Sequence, residues 1–190
     1  FVIPDSAMDR EARIRGTSVY FPDRVIPMLP EKVSNHLCSL TPKVDRLAFS
    51  VMIHLSKTGE VKDYSFHKSI IHSKERMTYE EVQKVLDGDP VLNRRFEHLY
   101  PQIRDIAFLA EIIQKRRQQR GAIDFDLPEP MLTYDEEGAV TGITKSIRLF
   151  SHRIVEEYMI LANEVVARHL EERDIPSLYR VHEDPDPMKV

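Results

Sequence analysis

The stretch Asp45-Arg-Leu-Ala-Phe-Ser-Val-Met-Ile-His-Leu55 sets the kind of fold that this chain can adopt. Apolar residues alternate along it, as they do in a strand with one buried face. Lys57-Thr-Gly-Glu60 follows as a glycine-containing turn, and Val61–Ser73 returns with a second set of spaced apolar residues. The sequence therefore predicts a long antiparallel β-hairpin.

Helices are predicted on both sides of this hairpin. Ser6 is a candidate N-cap for a helix over Met8–Arg15, and Thr78-Tyr-Glu-Glu81 matches a capping box. Further elements are a short helix from Pro30 toward His36, a long helix from Pro101 to Gly121, and short strands at Ala122–Phe125, Met131–Tyr134, Val140–Ile143 and Leu178–His182. Because helices and strands mix without strict alternation, we expect an α+β fold with a mixed or antiparallel sheet and packed helices.

The last predicted helix, from about Phe150 to Arg173, is apolar over too wide an arc for a surface helix, so much of it should be buried. His152, Glu156 and Asn163 nevertheless share one stripe of it. A buried carboxylate is costly unless it is paired. Glu156 is therefore either half of an internal salt bridge, with Arg153 or a strand arginine, or a carboxylate that lines a cleft.

Composition limits the function classes. The 190 residues carry a formal net charge of −4, the wrong sign for a protein whose affinity comes mainly from neutralising phosphates. The single cysteine, Cys38, excludes an internal disulfide, fits a reducing cytoplasmic setting, and is expected to be a packed residue. No apolar run approaches the roughly 20 residues that a membrane span needs. Since Phe1 opens the chain and Glu183–Val190 completes no element, we interpret residues 1–190 as the central part of one larger domain.

An irregular segment, Arg15-Gly-Thr-Ser-Val-Tyr-Phe-Pro-Asp-Arg-Val-Ile-Pro-Met-Leu-Pro30, cannot be a regular helix because of its prolines. With Leu37-Cys-Ser-Leu40 it resembles the RNB-type catalytic domain of the ribonuclease R / ribonuclease II family. Gly16-Thr-Ser-Val-Tyr20 is more similar to the ribonuclease R branch. The resemblance covers roughly residues 4 to 185, and Arg153–Asn163 carries a further motif of the family.

This resemblance implies a processive 3′→5′ exoribonuclease that uses Mg²⁺ and releases nucleoside 5′-monophosphates. The implied partner is the 3′ end of single-stranded RNA, without DNA or membrane, and the implied parent is a monomer. The metal-binding aspartates of the family lie upstream of this chain, and its catalytic arginine lies downstream. The expectation is therefore that this chain holds no catalytic residue and no metal ligand, and that it is inactive alone.

Four residues match RNA-contacting positions of the family. Tyr20 and Phe125 would stack on the terminal bases, Tyr79 would line the RNA path, and Glu156 would contact the 3′-terminal nucleotide. From the residues alone, packing is the more common explanation of a loop tyrosine such as Tyr20, and packing in the first turn of a helix explains Tyr79 equally well. A basic cluster at the end of the long predicted helix consists of Lys115, Arg116, Arg117 and Arg120. These residues are either solvated cations at a helix C-terminus or contacts to the RNA backbone. His182 matches a family pattern but has no assigned role.

The alternative to an exoribonuclease is a non-catalytic RNA-binding or scaffold protein of the same fold.

Overall fold

The structure is a computed structural model that describes residues 2–124 and 130–179. The elements, in chain order, are α1 (Ala7–Arg15), β1 (Val19–Tyr20), β2 (Val25–Ile26), a π-helical turn (Lys32–Leu37), β3 (Asp45–Leu55), β4 (Val61–His72), α2 (Tyr79–Leu86), α3 (Pro90–Arg95), a 3₁₀ turn (Glu97–Leu99), α4 (Tyr100–Gln119), β5 (Pro130–Tyr134), β6 (Val140–Lys145) and α5 (Phe150–Glu171). The predicted α+β class is confirmed. Among the described residues the strands form three separate antiparallel pairs, β1–β2, β3–β4 and β5–β6, and no mixed sheet.

The β3–β4 hairpin has the register that the alternation predicts, from Asp45 opposite His72 to Leu55 opposite Val61. Its turn needs a glycine for two reasons. Gly59 has a φ of +77°, and a Cβ built on it would lie 3.0 Å from Cγ2 of Ile112 in α4. The turn therefore packs closely on α4, which fixes the hairpin against the helices.

The core lies where α4 and α5 pack on each other and on one face of this hairpin. It consists of three small clusters of buried residues. One joins α2 to the start of α4, the second joins α4 to the start of α5, and the third joins the ends of both helices to the hairpin. Their buried members are Val85, Phe96 and Ile103; Ala107, Ala110 and Ile154; and Ile113, Leu161 and Val165.

The expectation that much of α5 is buried overestimates its burial in the part of the chain described. Only a single stripe is buried, formed by Ser151, Ile154, Glu157, Leu161 and Val165. Val155 and Met159 are about half exposed. The reason is that α4 and the β3–β4 hairpin cover one side of α5, so its remaining apolar residues face outward.

Three local predictions also need correction. Within the predicted strand Ala122–Phe125, the described residues 122–124 are not in a strand; the Asp124 side chain pairs with Arg148. Leu178 and Tyr179 are not in a strand either, and Cys38 is exposed rather than packed. Phe125 and His182 lie outside the described residues. Helix α3 was not predicted, although Asp89 caps it and Pro90 is its first residue.

Arg117, one member of the basic cluster, forms an ion pair within the α4–α5 contact, whereas Lys115 and Arg120 are exposed to solvent. Arg117 donates from Nη2 to Oε1 of Glu157 at 2.7 Å and from Nε to both carboxylate oxygens at 3.1 and 3.2 Å. The side chain of Glu157 is 2% exposed and that of Arg117 is 16% exposed. The hydrogen bond that Arg117 donates to Glu157 raises the pKa of Arg117 above its usual value. The sequence analysis offered two interpretations of the basic cluster, exposure to solvent or contact with the RNA backbone. Neither interpretation describes Arg117.

We predict that Arg117→Met destabilises the chain by about 3–5 kcal/mol, because it leaves a buried carboxylate without a counter-charge. Arg120 is the matched control: it pairs with Glu164 at 2.8 Å, but both side chains are well exposed. Arg120→Met should therefore cost less than about 1 kcal/mol. Urea unfolding of the 190-residue chain measures both values.

The double variant Arg117→Met with Glu157→Met removes both charges at once. It should regain most of the stability lost in Arg117→Met, since an apolar pair of similar volume is tolerated at such sites. If Arg117→Met and Arg120→Met lower the free energy of unfolding by equal amounts, burial does not set the strength of the Arg117–Glu157 pair.

Candidate functional site

The first two turns of α5 form the centre of the candidate site. They are tied to α2, because the Ser151 amide donates to Oε1 of Gln83 at 3.1 Å. The Leu149 amide donates to Nδ1 of His152 at 3.2 Å, which orients the imidazole ring at the helix start. His152 and Glu156 are four residues apart and therefore lie on the same face of α5.

Tyr79 reaches this face from the first residue of α2. The capping box holds it there: the Thr78 amide donates to Oε2 of Glu81 at 3.0 Å, and the Glu81 amide donates to Oγ1 of Thr78 at 3.2 Å. The Tyr79 ring stacks on His152, with ring centroids 4.1 Å apart and planes 23° apart. One side of the ring is thus packed, while 42% of the residue stays exposed. Packing and access for a ligand therefore coexist at Tyr79.

Glu156 is one of two carboxylates held by Arg148, the last residue but one before α5. Arg148 donates from Nη2 to Oε2 of Glu156 at 2.5 Å and from Nη1 to Oδ1 of Asp124 at 2.6 Å. Arg153 approaches the other oxygen of Asp124 at 3.6 Å. Glu156 does form a salt bridge, but its partner is Arg148 and not Arg153 or a strand arginine. Arg148 was not singled out in the sequence, because no spacing rule connects residues 124, 148 and 156.

The electrostatics favour the charged forms of Asp124 and Arg148. The hydrogen bond from Arg148 holds the pKa of Asp124 below its usual value, and the bonds to Asp124 and Glu156 raise the pKa of Arg148. Arg148 and Glu156 are each partly shielded from solvent. A partly shielded, charge-assisted contact is stronger than one between fully exposed groups.

Tyr20 stands apart from this centre. It ends β1, opposite Val25 of β2, and is 77% exposed. With Phe21 and Pro22 it lines an open groove whose other wall is formed by residues of β5 and β6; that wall consists of Pro130, Met131, Leu132 and Ile143. Among the described residues Tyr20 shares no aromatic pair with Tyr79. The structure thus brings Tyr79 and Glu156 to one end of α5, and Tyr20 to the neighbouring β5–β6 hairpin.

The residues described do not fit a metal centre. Within residues 2–124 and 130–179, no group of three or more His, Cys, Asp or Glu side chains could hold a metal ion. In the same ranges no helix is both long and apolar enough to cross a membrane.

The chain belongs to the RNB domain family, whose match covers residues 1–190. It is similar to ribonuclease R of Aquifex aeolicus, with 46% identity over 190 residues, which are 100% of this chain and 27% of that protein. The chain therefore spans about a quarter of the length of that curated relative.

Solved structures agree with this family. Mycoplasma genitalium RNase R in complex with ribose methylated single-stranded RNA matches with a TM-score of 0.87 at 32% identity, over 99% of this chain and 29% of that one. The same protein in complex with double-stranded RNA matches with a TM-score of 0.90 at 33% identity, over 100% of this chain and 34% of that one.

We predict that Tyr79 and His152 stabilise each other. In a double-mutant cycle of Tyr79→Ala and His152→Ala, the coupling in the free energy of unfolding should be about 0.5–1.5 kcal/mol, as for other aromatic pairs. His98→Ala, at an exposed histidine of the 3₁₀ turn, is the control and should show no coupling to Tyr79→Ala. Additive effects of Tyr79→Ala and His152→Ala would contradict the stack.

Proposed function

We propose that the polypeptide containing this chain is a 3′→5′ exoribonuclease, and that this chain supplies the surface that holds the 3′-terminal nucleotides of the RNA. The observation that carries the proposal is 46% identity over all 190 residues to a protein named ribonuclease R. The RNA complexes of the Mycoplasma protein support RNA as the ligand, since both match nearly the whole chain.

Each candidate residue has a role in this proposal. The open ring of Tyr20 offers a face on which a base can stack, which contributes about 1–3 kcal/mol per base. Phe125, which lies outside the described residues, would stack on the other face of the same base. Tyr79, braced by His152, lines the path of the strand, and Glu156 contacts the terminal nucleotide. The formal net charge of −4 is consistent with these four roles, because base stacking and contacts to hydroxyl groups do not require a basic surface.

The chemistry of hydrolysis is proposed to lie outside this chain. Release of nucleoside 5′-monophosphates requires Mg²⁺, and hard divalent ions prefer clustered carboxylates. The described residues offer no such cluster. The 190-residue chain alone is therefore proposed to be inactive, and the complete polypeptide to act as a monomer in the cytoplasm.

The activity of the proposed enzyme can be tested on a 5′-labelled single-stranded RNA with Mg²⁺. The complete natural polypeptide that contains this chain should shorten the RNA from its 3′ end, and the 190-residue chain should not. Gel analysis of the products measures both. Binding without shortening by the complete polypeptide would favour a non-catalytic RNA-binding or scaffold protein, and activity of the 190-residue chain would contradict the placement of the chemistry.

The proposed stacking of a base on Tyr20 can be tested by substitution. Tyr20→Ala should weaken binding of single-stranded RNA to the complete polypeptide about 5- to 150-fold, which corresponds to the loss of one base–aromatic stack. Phe108→Ala is the control, because Phe108 is an aromatic residue of similar exposure, at 66%, on α4. Fluorescence anisotropy in the absence of divalent metal gives both dissociation constants. Equal losses in the two variants would remove Tyr20 from the site.

A further inference from the structure

We propose that a cavity between α4, α5 and the turn of the β3–β4 hairpin binds a dianionic phosphate group, either inorganic phosphate or the 5′-phosphate of a free nucleotide. Four arginines line this cavity: Arg116, Arg117 and Arg120 of α4, and Arg168 of α5. The inference goes beyond the proposed function, because the cavity lies on a different face of α5 from Glu156.

The first argument is the size of the cavity and the access to it. Its volume is about 130 Å³. A cavity needs about 10–15 Å³ to hold one water molecule, so this one has room for a tetrahedral group of five heavy atoms. The buried side chains of Ile113 and Leu161 also line it, so it reaches the core. Arg120 and Arg168 are exposed, so a ligand can enter from solvent.

The second argument is that the two α5 carboxylates in the cavity are already neutralised. Both oxygens of Glu157 accept hydrogen bonds from Arg117, and both oxygens of Glu164 accept hydrogen bonds from Arg120, at 2.8 and 3.4 Å. Neither carboxylate therefore repels an anion strongly. The contact with Glu157 uses Nε and Nη2 of Arg117. Among the described residues Nη1 of Arg117 has no hydrogen-bond partner, so it is available as a donor to a ligand.

The third argument is a surplus of positive charge at the cavity. Glu60, the remaining carboxylate of the lining, accepts a hydrogen bond from Lys62 at 2.6 Å. That hydrogen bond lowers the pKa of Glu60, and the charge of Arg116 lowers it as well. Within residues 2–124 and 130–179, neither Arg116 nor Arg168 forms a salt bridge. These two arginines are left uncompensated, and together they match the charge of a phosphate dianion.

The kind of anion follows from the side chains that would hold it. Guanidinium groups bind phosphate oxygens through paired N–H donors, and these charge-assisted hydrogen bonds are strong. A phosphodiester of a nucleic acid backbone carries a single charge, so it matches two surplus arginines less well than a monoester does. Because Arg116 stands on α4 and Arg168 on α5, a phosphate held by both would join the two helices and stabilise the folded chain.

The test measures binding of inorganic phosphate to the complete polypeptide by isothermal titration calorimetry at about pH 8, where the ligand carries about two negative charges. Constant ionic strength and EDTA exclude general salt effects and metal-bound phosphate. The wild type should bind phosphate. Arg116→Gln and Arg168→Gln should each weaken that binding by about tenfold or more, because each removes hydrogen bonds to a charged group.

A competition experiment separates the two sources of the phosphate group. Adenosine 5′-monophosphate that displaces phosphate from the wild type identifies a free nucleotide as a ligand of the cavity, whereas a failure to displace it identifies inorganic phosphate. Adenosine, which lacks the phosphate, is the control and should displace nothing.

Lys115→Gln is the matched control variant. Lys115 precedes Arg116 on α4 and is exposed, but it does not line the cavity. It should keep the phosphate affinity of the wild type. Phosphate should also raise the unfolding temperature of the wild type and of Lys115→Gln, but not that of Arg116→Gln or Arg168→Gln, since only a ligand of the folded state stabilises it.

Three results would overturn the inference. The first is a wild type that does not bind phosphate. The second is an equal loss of phosphate affinity in Lys115→Gln and Arg116→Gln, which would reduce the effect to general charge. The third is a loss of single-stranded RNA affinity in Arg116→Gln and Arg168→Gln without any loss of phosphate affinity, which would assign both arginines to the RNA backbone.

The outcome is independent of the proposed function, because a polypeptide that binds phosphate at this cavity but no RNA would contradict only the proposed function. If Arg116→Gln does not fold, Arg168→Gln decides, since Arg168 is exposed. Phosphate binding of wild-type strength in Arg168→Gln would then count against the cavity.

Discussion

The contact between α4 and α5 is the constraint on which the rest of this structure depends. It carries the buried ion pair of Arg117 and Glu157 and covers the apolar face of the β3–β4 hairpin. Since successive residues of a helix point about 100° apart, burial of Glu157 directs its neighbour Glu156 sideways, onto the face of α5 that also carries His152. The packing of the core thereby decides which of two adjacent glutamates is buried and which faces the candidate site.

The elements that depend on local signals could be read from the sequence. Alternation placed the β3–β4 hairpin within a residue of its observed bounds, and Thr78 and Ser6 cap the helices assigned to them. The ion pairs could not be read in this way. Arg117 meets Glu157, 40 positions away, and Arg148 meets Asp124, 24 positions away, and no periodicity relates such residues. The misjudged burial of α5 has a similar origin, because composition shows that a surface is apolar but not whether a partner covers it.

The candidate site combines two parts that differ in how firmly they are anchored in the core. Tyr79, His152 and Glu156 stand on α2 and α5, which are anchored in the core clusters. Tyr20 stands on a pair of two-residue strands, and its groove is completed by a hairpin of which much of the surface is exposed. Two-stranded ribbons are marginally stable without a covering layer. Local opening should therefore occur more readily around Tyr20 than around Glu156, so the part of the candidate site around Tyr20 can adapt while the part around Glu156 stays rigid.

The closed base of the β5–β6 hairpin also has a consequence for how this protein can change over evolution or by design. Its far end is an exposed turn in which Oδ1 of Asp135 accepts hydrogen bonds from the amides of Glu137 and Ala139. Because the Asp124–Arg148 contact fixes the other end, residues inserted at this turn would lengthen the hairpin without transmitting a shift to α5. The turn is thus a natural point of attachment for an added peptide or a label, at the opposite end of the hairpin from the Asp124–Arg148 contact.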